Sequence, residues 1–339
     1  MATLMVIFTA ALVLAIGATP LARRLALRTG MIDQPNDRKV HTSPIPLLGG
    51  AAMYGAFVLA LLLFADRFYV SQIISIVVGA TWVSFLGVWD DRVHLRPSIK
   101  LAGQVFGALI LVASGITVEL FDVPLLNTAI TLFWIVGITN AMNLLDNMDG
   151  LSGGVAAVAA AFFMLLAVEN GQFLVGSLSA ALLGASIGFL IYNFNPALIF
   201  MGDSGSLFIG FMLAAVGIKL RFPDHPTIAT WFIPILILGL PIFDTTLVFI
   251  SRLRRGVNPF THGGKDHTSH RLVTRGATVR EAVLALYLVS GALGMAAMFC
   301  ALGNVLANYL AVAMVVMIGL AGIYEFEFRK SRTITLEKS

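Results

Sequence analysis

Long apolar runs separated by short polar stretches make up this chain. About eleven windows approach the roughly 17–25 apolar residues that cross a bilayer. They cover 3–21, 48–65, 70–89, 101–118, 125–142, 152–168, 172–192, 205–219, 228–249, 279–300 and 303–323. No internal repeat and no low-complexity tract interrupts them. No polar segment between them is long enough to fold alone. The pattern therefore predicts an all-α polytopic integral membrane protein: one transmembrane domain over 1–323, then a tail over 324–339.

Composition sharpens this. Of 339 residues, 58% are hydrophobic and 12% charged, about half the charged share of a soluble domain. Mean hydropathy is +0.90. Cys300 is the only cysteine, so no internal disulfide exists. The net charge of +4 reports topology and contact with anionic lipid or substrate, not nucleic-acid binding. Arg23 and Arg24 follow the first apolar run instead of preceding it, which suits an uncleaved first span with its N-terminus outside. With that orientation 19 of the 22 Lys and Arg fall on the inner side, as the positive-inside rule expects. The C-terminal tail is then cytoplasmic.

The polar residues that interrupt the apolar runs gather on that same side. Asp33, Asn36, Asp37, Arg38, Lys39 and His41 lie in the first inner loop, and Asp90 and Asp91 close the third span. The stretch 139–154, TNAMNLLDNMDGLSGG, carries Asn140, Asn143 and Asn147 with Asp146 and Asp149. Those acids are three apart and share a face on a helical turn, and acids beside a bilayer are costly enough to suggest function. A plain polar turn would need no such set.

Adjacent Asp90 and Asp91 repel, and a cation or a raised pKa must relieve the pair, a divalent metal being the usual relief. A solvated helix end capped by Arg92 and Arg96 is the plain alternative. Mg²⁺ takes few carboxylates and completes its shell with water and phosphate. In NFNPALIFMGDSGS, Pro196 and Gly202 break a helix, and Asp203 stands where the next one starts. Capping alone would explain an acid there, but such an end also suits a phosphate. Asp244 lies inside an apolar helix and needs a partner; an inner arginine is the plain structural choice. HGGKDHTSHRL holds His262, Lys265, Asp266, His267, His270 and Arg271. His267 and His270 have zinc spacing, yet a cation-rich loop suits a diphosphate better.

These motifs, in this order and over nearly the whole chain, resemble the polyprenyl-phosphate N-acetylhexosamine-1-phosphate transferases, the superfamily of WecA, TagO and MraY. That resemblance implies transfer of a sugar-1-phosphate from a UDP-sugar to undecaprenyl phosphate at the cytoplasmic face of a bacterial inner membrane. UMP is released, Mg²⁺ or Mn²⁺ serves as cofactor, and cell-envelope polysaccharide synthesis begins. It implies Asp90 as the acid that deprotonates the lipid phosphate, with Asp91 beside it, and Asp203 as principal metal ligand with Asp91. It implies Asn143, Asp146, Asp149, Asn193 and Phe200 at the nucleotide-sugar. His262, His267, His270 and Arg271 are expected at the diphosphate and sugar, Lys39 and His41 at the lipid phosphate, and Asp244 in support. UDP-N-acetylglucosamine is the favoured donor, and a homodimer is compatible with the resemblance. The MraY branch carries adjacent histidines where this chain has HTSHRL, which favours the WecA/TagO-like side over a muramyl-pentapeptide substrate. His94 stands where MraY-type relatives tend to carry lysine, leaving Arg96 or Lys100 to supply that charge. A secondary transporter is the contrasting class, but transporter sites lie near the midplane, often in repeated halves.

Overall fold

The computed structural model describes residues 1–35, 43–64, 70–222, 225–259 and 264–329. Lys39, His41 and His262 fall outside these ranges. Every apolar window overlaps at least one helix. The order is α1 (Ala2–Thr29), β1 (Ile32–Asp33), β2 (Ile45–Pro46), α2 (Gly49–Phe64), α3 (Val70–Val93), α4 (Pro97–Ala113), α5 (Pro124–Leu145), α6 (Leu151–Glu169) and α7 (Phe173–Asn193). Then follow α8 (Gly202–Lys219), α9 (Thr227–Ile237), α10 (Gly239–Arg254), α11 (Thr268–Thr274), α12 (Val279–Leu302) and α13 (Val305–Glu327). Among the described residues seven helices are long and apolar enough to cross a membrane: α1, α3, α5, α6, α7, α12 and α13. The bent pair α9–α10 makes an eighth if it forms one span. The chain is a multi-pass helical membrane protein.

Two features depart from the apolar pattern. A two-stranded antiparallel piece pairs Ile32 with Pro46 and Asp33 with Ile45, so the chain is not wholly helical. The window 228–249 is not one helix: α9 and α10 meet at a 77° bend. Pro241 has no N–H to offer the turn before it, and its ring crowds the carbonyl four residues back. The helix therefore stops at Ile237 and restarts at Gly239. At the other end α13 runs through Glu327, four residues into the segment read as a tail.

α8 is the centre of the packing. Helices α2, α3, α5, α6 and α7 pack on it, and every residue from Ser204 to Ile218 is buried. Lipid is as apolar as a protein core, so close van der Waals fit holds such a bundle more than water exclusion does. Gly205, Gly210, Ala214, Ala215 and Gly217 supply the small surfaces α8 needs. By contrast α13 presents Leu306, Leu310, Met317, Ile318 and Leu320 outward, which suits a helix facing lipid.

One close approach positions the site. A Cβ on Gly87 would fall onto the backbone of Asp203 and Ser204. The first turn of α8 thus lies directly against α3. Asp90 and Asp91 follow Gly87 by three and four residues and share its face. The paired acids of α3 are thereby brought to the start of α8.

Candidate active site

Four helix ends converge here. Asp90 and Asp91 end α3, Lys100 opens α4, Asn143 ends α5 and Asp203 opens α8. The Lys100 Nζ lies 2.9 Å from Asp90 Oδ2 and 2.7 Å from Asp203 Oδ2, and it donates to Asn143 Oδ1 at 3.2 Å. Asn143 Nδ2 donates to Asp203 Oδ1 at 2.5 Å and to Ser206 Oγ at 2.8 Å. Asp90 Oδ1 accepts from Leu95 N at 2.6 Å. That bond closes the turn in which His94 takes φ +55°, and the turn brings α4 back so that Lys100 reaches Asp90 and Asp203.

Asp91 acts on the backbone. Its carboxylate accepts from Asp203 N at 2.9 Å and Ser204 N at 3.3 Å, so it satisfies two of the unpaired N–H groups at the start of α8. Gly202 makes room: it sits at φ +67°, and a Cβ there would meet the Asp91 carboxylate. Behind this wall Asn140 pairs with Gln104 across α4 and α5.

A second wall is built from the two interrupting loops. Asp149 Oδ2 accepts from Asn195 Nδ2 and Ala197 N, both at 3.0 Å. Buried Asn193 accepts from Gly150 N at 3.1 Å and donates to Ile199 O at 3.0 Å. Tyr287 of α12 donates to Gly150 O. Phe200 N donates to Pro46 O at 2.9 Å, which seats β2 at the same rim.

The third wall is α11. Ser269 Oγ donates to Asn147 Oδ1 at 2.6 Å. His267 Nδ1 stands 2.7 Å from Asp244 Oδ2, and Thr268 N donates to Asp244 Oδ1 at 2.7 Å. Asp244 is thus held by a histidine and a backbone amide, where an arginine had been the plain choice. Arg271 reaches Asp266 O, Phe326 O, Ser251 Oγ and Glu327 Oε2. It ties α11 to α10 and to the end of α13.

These walls enclose a cavity of about 810 Å³. Asp90, Asp91, Asn143, Asp146, Asp149, Asn193, Phe200, Asp203 and His270 all line it. His267 and Arg271 do not; their side chains are engaged behind α11. Asp33, His94, Asn147, Asn195 and Lys265 also line it. Of these, Lys265 belongs to the loop whose cations suit a diphosphate, and in the sequence Asp33 and Asn195 have no more than a place on the inner face. Asp33 could have been singled out only through β1, whose two residues are too short to show a period.

Among the described residues no three of His, Cys, Asp or Glu stand ready to hold a metal ion by themselves. The donor set nonetheless fits a hard cation of the Mg²⁺ kind, which needs only one or two carboxylates when phosphate oxygens complete its shell. Burial pushes the Asp146 carboxyl up to about 8, and the charges of Asp203, Asp91 and Asp149 push the same way. Among the described residues its side chain takes no hydrogen-bond donor. A divalent cation held by these carboxylates would relieve that crowding.

Asp266 shows the opposite balance. Burial raises its carboxyl, and the Arg252 and Arg255 guanidiniums more than reverse this, holding it at about 2. Arg252 grips it bidentately at 3.0 and 3.1 Å. A carboxyl depressed on folding adds stability above its unfolded value near 3.9, and that share is lost as pH falls toward 2. The thermal midpoint of the wild type in detergent should exceed that of Asp266→Asn by a constant margin above about pH 5. The margin should close between about pH 4 and 2. A margin unchanged at the acid end would mean that Asp266 contributes through packing and not through its charge.

Helix ends that gather carboxylates, one largely buried lysine and amides around a cavity define an integral membrane protein with a built polar site of the kind enzymes carry. Comparison with known proteins agrees. Residues 73–221 match the model of glycosyl transferase family 4. The chain is 37% identical over 299 residues to a Bacillus subtilis protein named "Probable undecaprenyl-phosphate N-acetylglucosaminyl 1-phosphate transferase", covering 85% of this chain and 82% of that one. It is 32% identical over 316 residues to the decaprenyl-phosphate N-acetylglucosaminephosphotransferase of Mycolicibacterium smegmatis, covering 83% and 78%. With the undecaprenyl-phosphate alpha-N-acetylglucosaminyl 1-phosphate transferase of Escherichia coli K12 it shares 29% over 290 residues, covering 80% and 77%. The chain belongs to this family of polyprenyl-phosphate N-acetylglucosamine-1-phosphate transferases.

Proposed function

We propose that the protein transfers N-acetylglucosamine-1-phosphate from UDP-N-acetylglucosamine to undecaprenyl phosphate, releasing UMP. The reaction takes place at the cytoplasmic face of a bacterial inner membrane and opens a lipid-linked step of envelope polysaccharide synthesis. One observation carries the reading: Lys100 bridges Asp90 and Asp203 at the wall of an acid-lined cavity, in a chain whose relatives bear these names. The excess of Lys and Arg between alternate spans supports eleven spans, an outer N-terminus and a cavity open to the cytoplasm. A homodimer is part of the proposal.

Both substrates are anions, so their approach needs screening and alignment more than covalent help. An oxygen of the lipid phosphate attacks the phosphorus that bears the sugar. The bond from that phosphorus to the bridging oxygen breaks, and UMP leaves with the electron pair. Asp90 takes the proton of the lipid phosphate, and Lys100 keeps Asp90 and Asp203 together while offsetting their charge. Asp203, Asp146 and Asp91 would hold Mg²⁺ or Mn²⁺, which when bound neutralises charge on the diphosphate. Asp91 also fixes the start of α8. Asn143, Asp149, Asn193 and Phe200 line the nucleotide-sugar region, and His270 with Lys265 faces the diphosphate from the opposite rim. Lys39 and His41 of the first loop serve the lipid phosphate, and His262 joins the diphosphate side.

Purified protein with Mg²⁺, polyprenyl phosphate and UDP-N-acetylglucosamine should release UMP. Turnover with a different UDP-sugar alone would correct the donor, and none with any would remove the proposal. Asp90→Asn should lower kcat about 100-fold, the scale of one positioned proton acceptor, while donor binding stays within a few-fold. Wild-type turnover in that variant would remove Asp90 from the chemistry.

A further inference from the structure

His267 and His270 share one short helix, yet the structure gives them different surroundings. His270 lines the cavity. His267 does not; it is 4% exposed, and Asp244 against it is 1% exposed. The two Asp244 oxygens are both taken, one by His267 Nδ1 and one by Thr268 N, each at 2.7 Å. His267 then meets His270 edge to face, with ring centroids 6.2 Å apart and planes at 66°. On the far side Ser269 is anchored to Asn147. The turn that carries His270 is gripped at the residues before it, while His270 itself is left to the cavity.

We propose that Asp244 is a positioning residue for the transfer. From within α10 it holds the His267 ring and the first N–H of α11, and the His267 ring in turn backs His270 at the cavity wall. His267 is a strut: it donates to Asp244 and touches no substrate. A buried carboxylate that fixes a histidine's orientation and protonated nitrogen has this effect elsewhere in enzymes. The inference rests on the reading above that His270 faces the donor diphosphate.

The test is a cycle of variants assayed by UMP release in detergent with saturating Mg²⁺. Asp244→Asn should lower kcat about 30-fold with KM for UDP-N-acetylglucosamine within about 3-fold, because orientation and not uniform binding is lost. Added to His270→Ala, it should cost less than about 2-fold more, since the two act through one group. Asparagine places an N–H near the Nδ1 position but has no ring to back His270, so His267→Asn and His267→Leu should both fall with Asp244→Asn. The His267 pair also decides the matter if Asp244→Asn does not fold. Losses that multiply in the double variant would overturn the positioning role. So would wild-type turnover in Asp244→Asn or His267→Leu beside a disabled His270→Ala. Wild-type turnover in His270→Ala would instead remove the assignment of His270 on which the inference rests.

Discussion

Lys100→Met should insert and fold, yet release UMP at about one-thousandth of the wild-type rate. The Lys100 side chain is 17% exposed and lies within 2.9 Å of two carboxylates from different helices. Asp91 and Asp146 line the cavity beside them, and Lys100 is the cation that Asp90 and Asp203 share. Taking it away leaves Asp90 and Asp203 facing each other without a shared partner. It also strips the cavity of charge that two anionic substrates need. Removing one preorganised electrostatic group from an active site costs about 10²–10³ in rate, which is about 3–4 kcal/mol of barrier at about 1.4 kcal/mol per decade. Methionine keeps the stem of the side chain, so packing along α4 survives and the effect stays in the chemistry. Lys100→Arg should recover only part of the rate, because a planar fork does not fit a site built around a point charge. The measurement is UMP release beside the thermal midpoint in detergent. Turnover within about 10-fold of wild type in Lys100→Met would show that the lysine serves the fold alone.

Why that lysine escaped a firm assignment is instructive. His94, Arg96 and Lys100 all follow the acid pair within ten residues, and composition cannot rank them. The turn ranks them, through the left-handed backbone of His94 and the bond from Leu95 N to Asp90. The acids themselves were readable because a carboxylate beside a bilayer is costly wherever it sits. The helices were readable because the length of an apolar run reports the thickness it must cross. The break between α9 and α10 was not, since glycine and proline are common inside membrane helices that stay continuous. His267 and His270 look alike in HTSHRL, and only the packing of Asp244 separates them. Nor does any pattern of side chains announce backbone bonds such as Phe200 N to Pro46 O, which seat the β-hairpin at the cavity rim.

Gly87→Ala should lower the protein's stability by about 2–3 kcal/mol and its turnover at least about 100-fold, with Gly87→Val worse on both counts. The space a Cβ would need at 87 is filled by the backbone of Asp203 and Ser204. A flexible side chain could swing aside; the first turn of a helix cannot. α8 would have to retreat from α3 by roughly 1 Å, enough to lose a hydrogen bond. The bonds from Asp91 to Asp203 N and Ser204 N start at 2.9 and 3.3 Å and would open first. The α8 N–H groups would then exchange a carboxylate for water at the cavity wall, at a cost of about 1 kcal/mol each. Lys100 would no longer reach Asp90 and Asp203 together, so stability and turnover should fall in step. Gly137→Ala is the control. It lies on α5 with nothing within 4 Å of the added Cβ, and it should leave both the thermal midpoint and UMP release unchanged. If Gly87→Ala behaved like Gly137→Ala, the contact of α3 with α8 could not be what assembles the carboxylates. The convergence of Asp90, Asp91 and Asp203 would then need another cause.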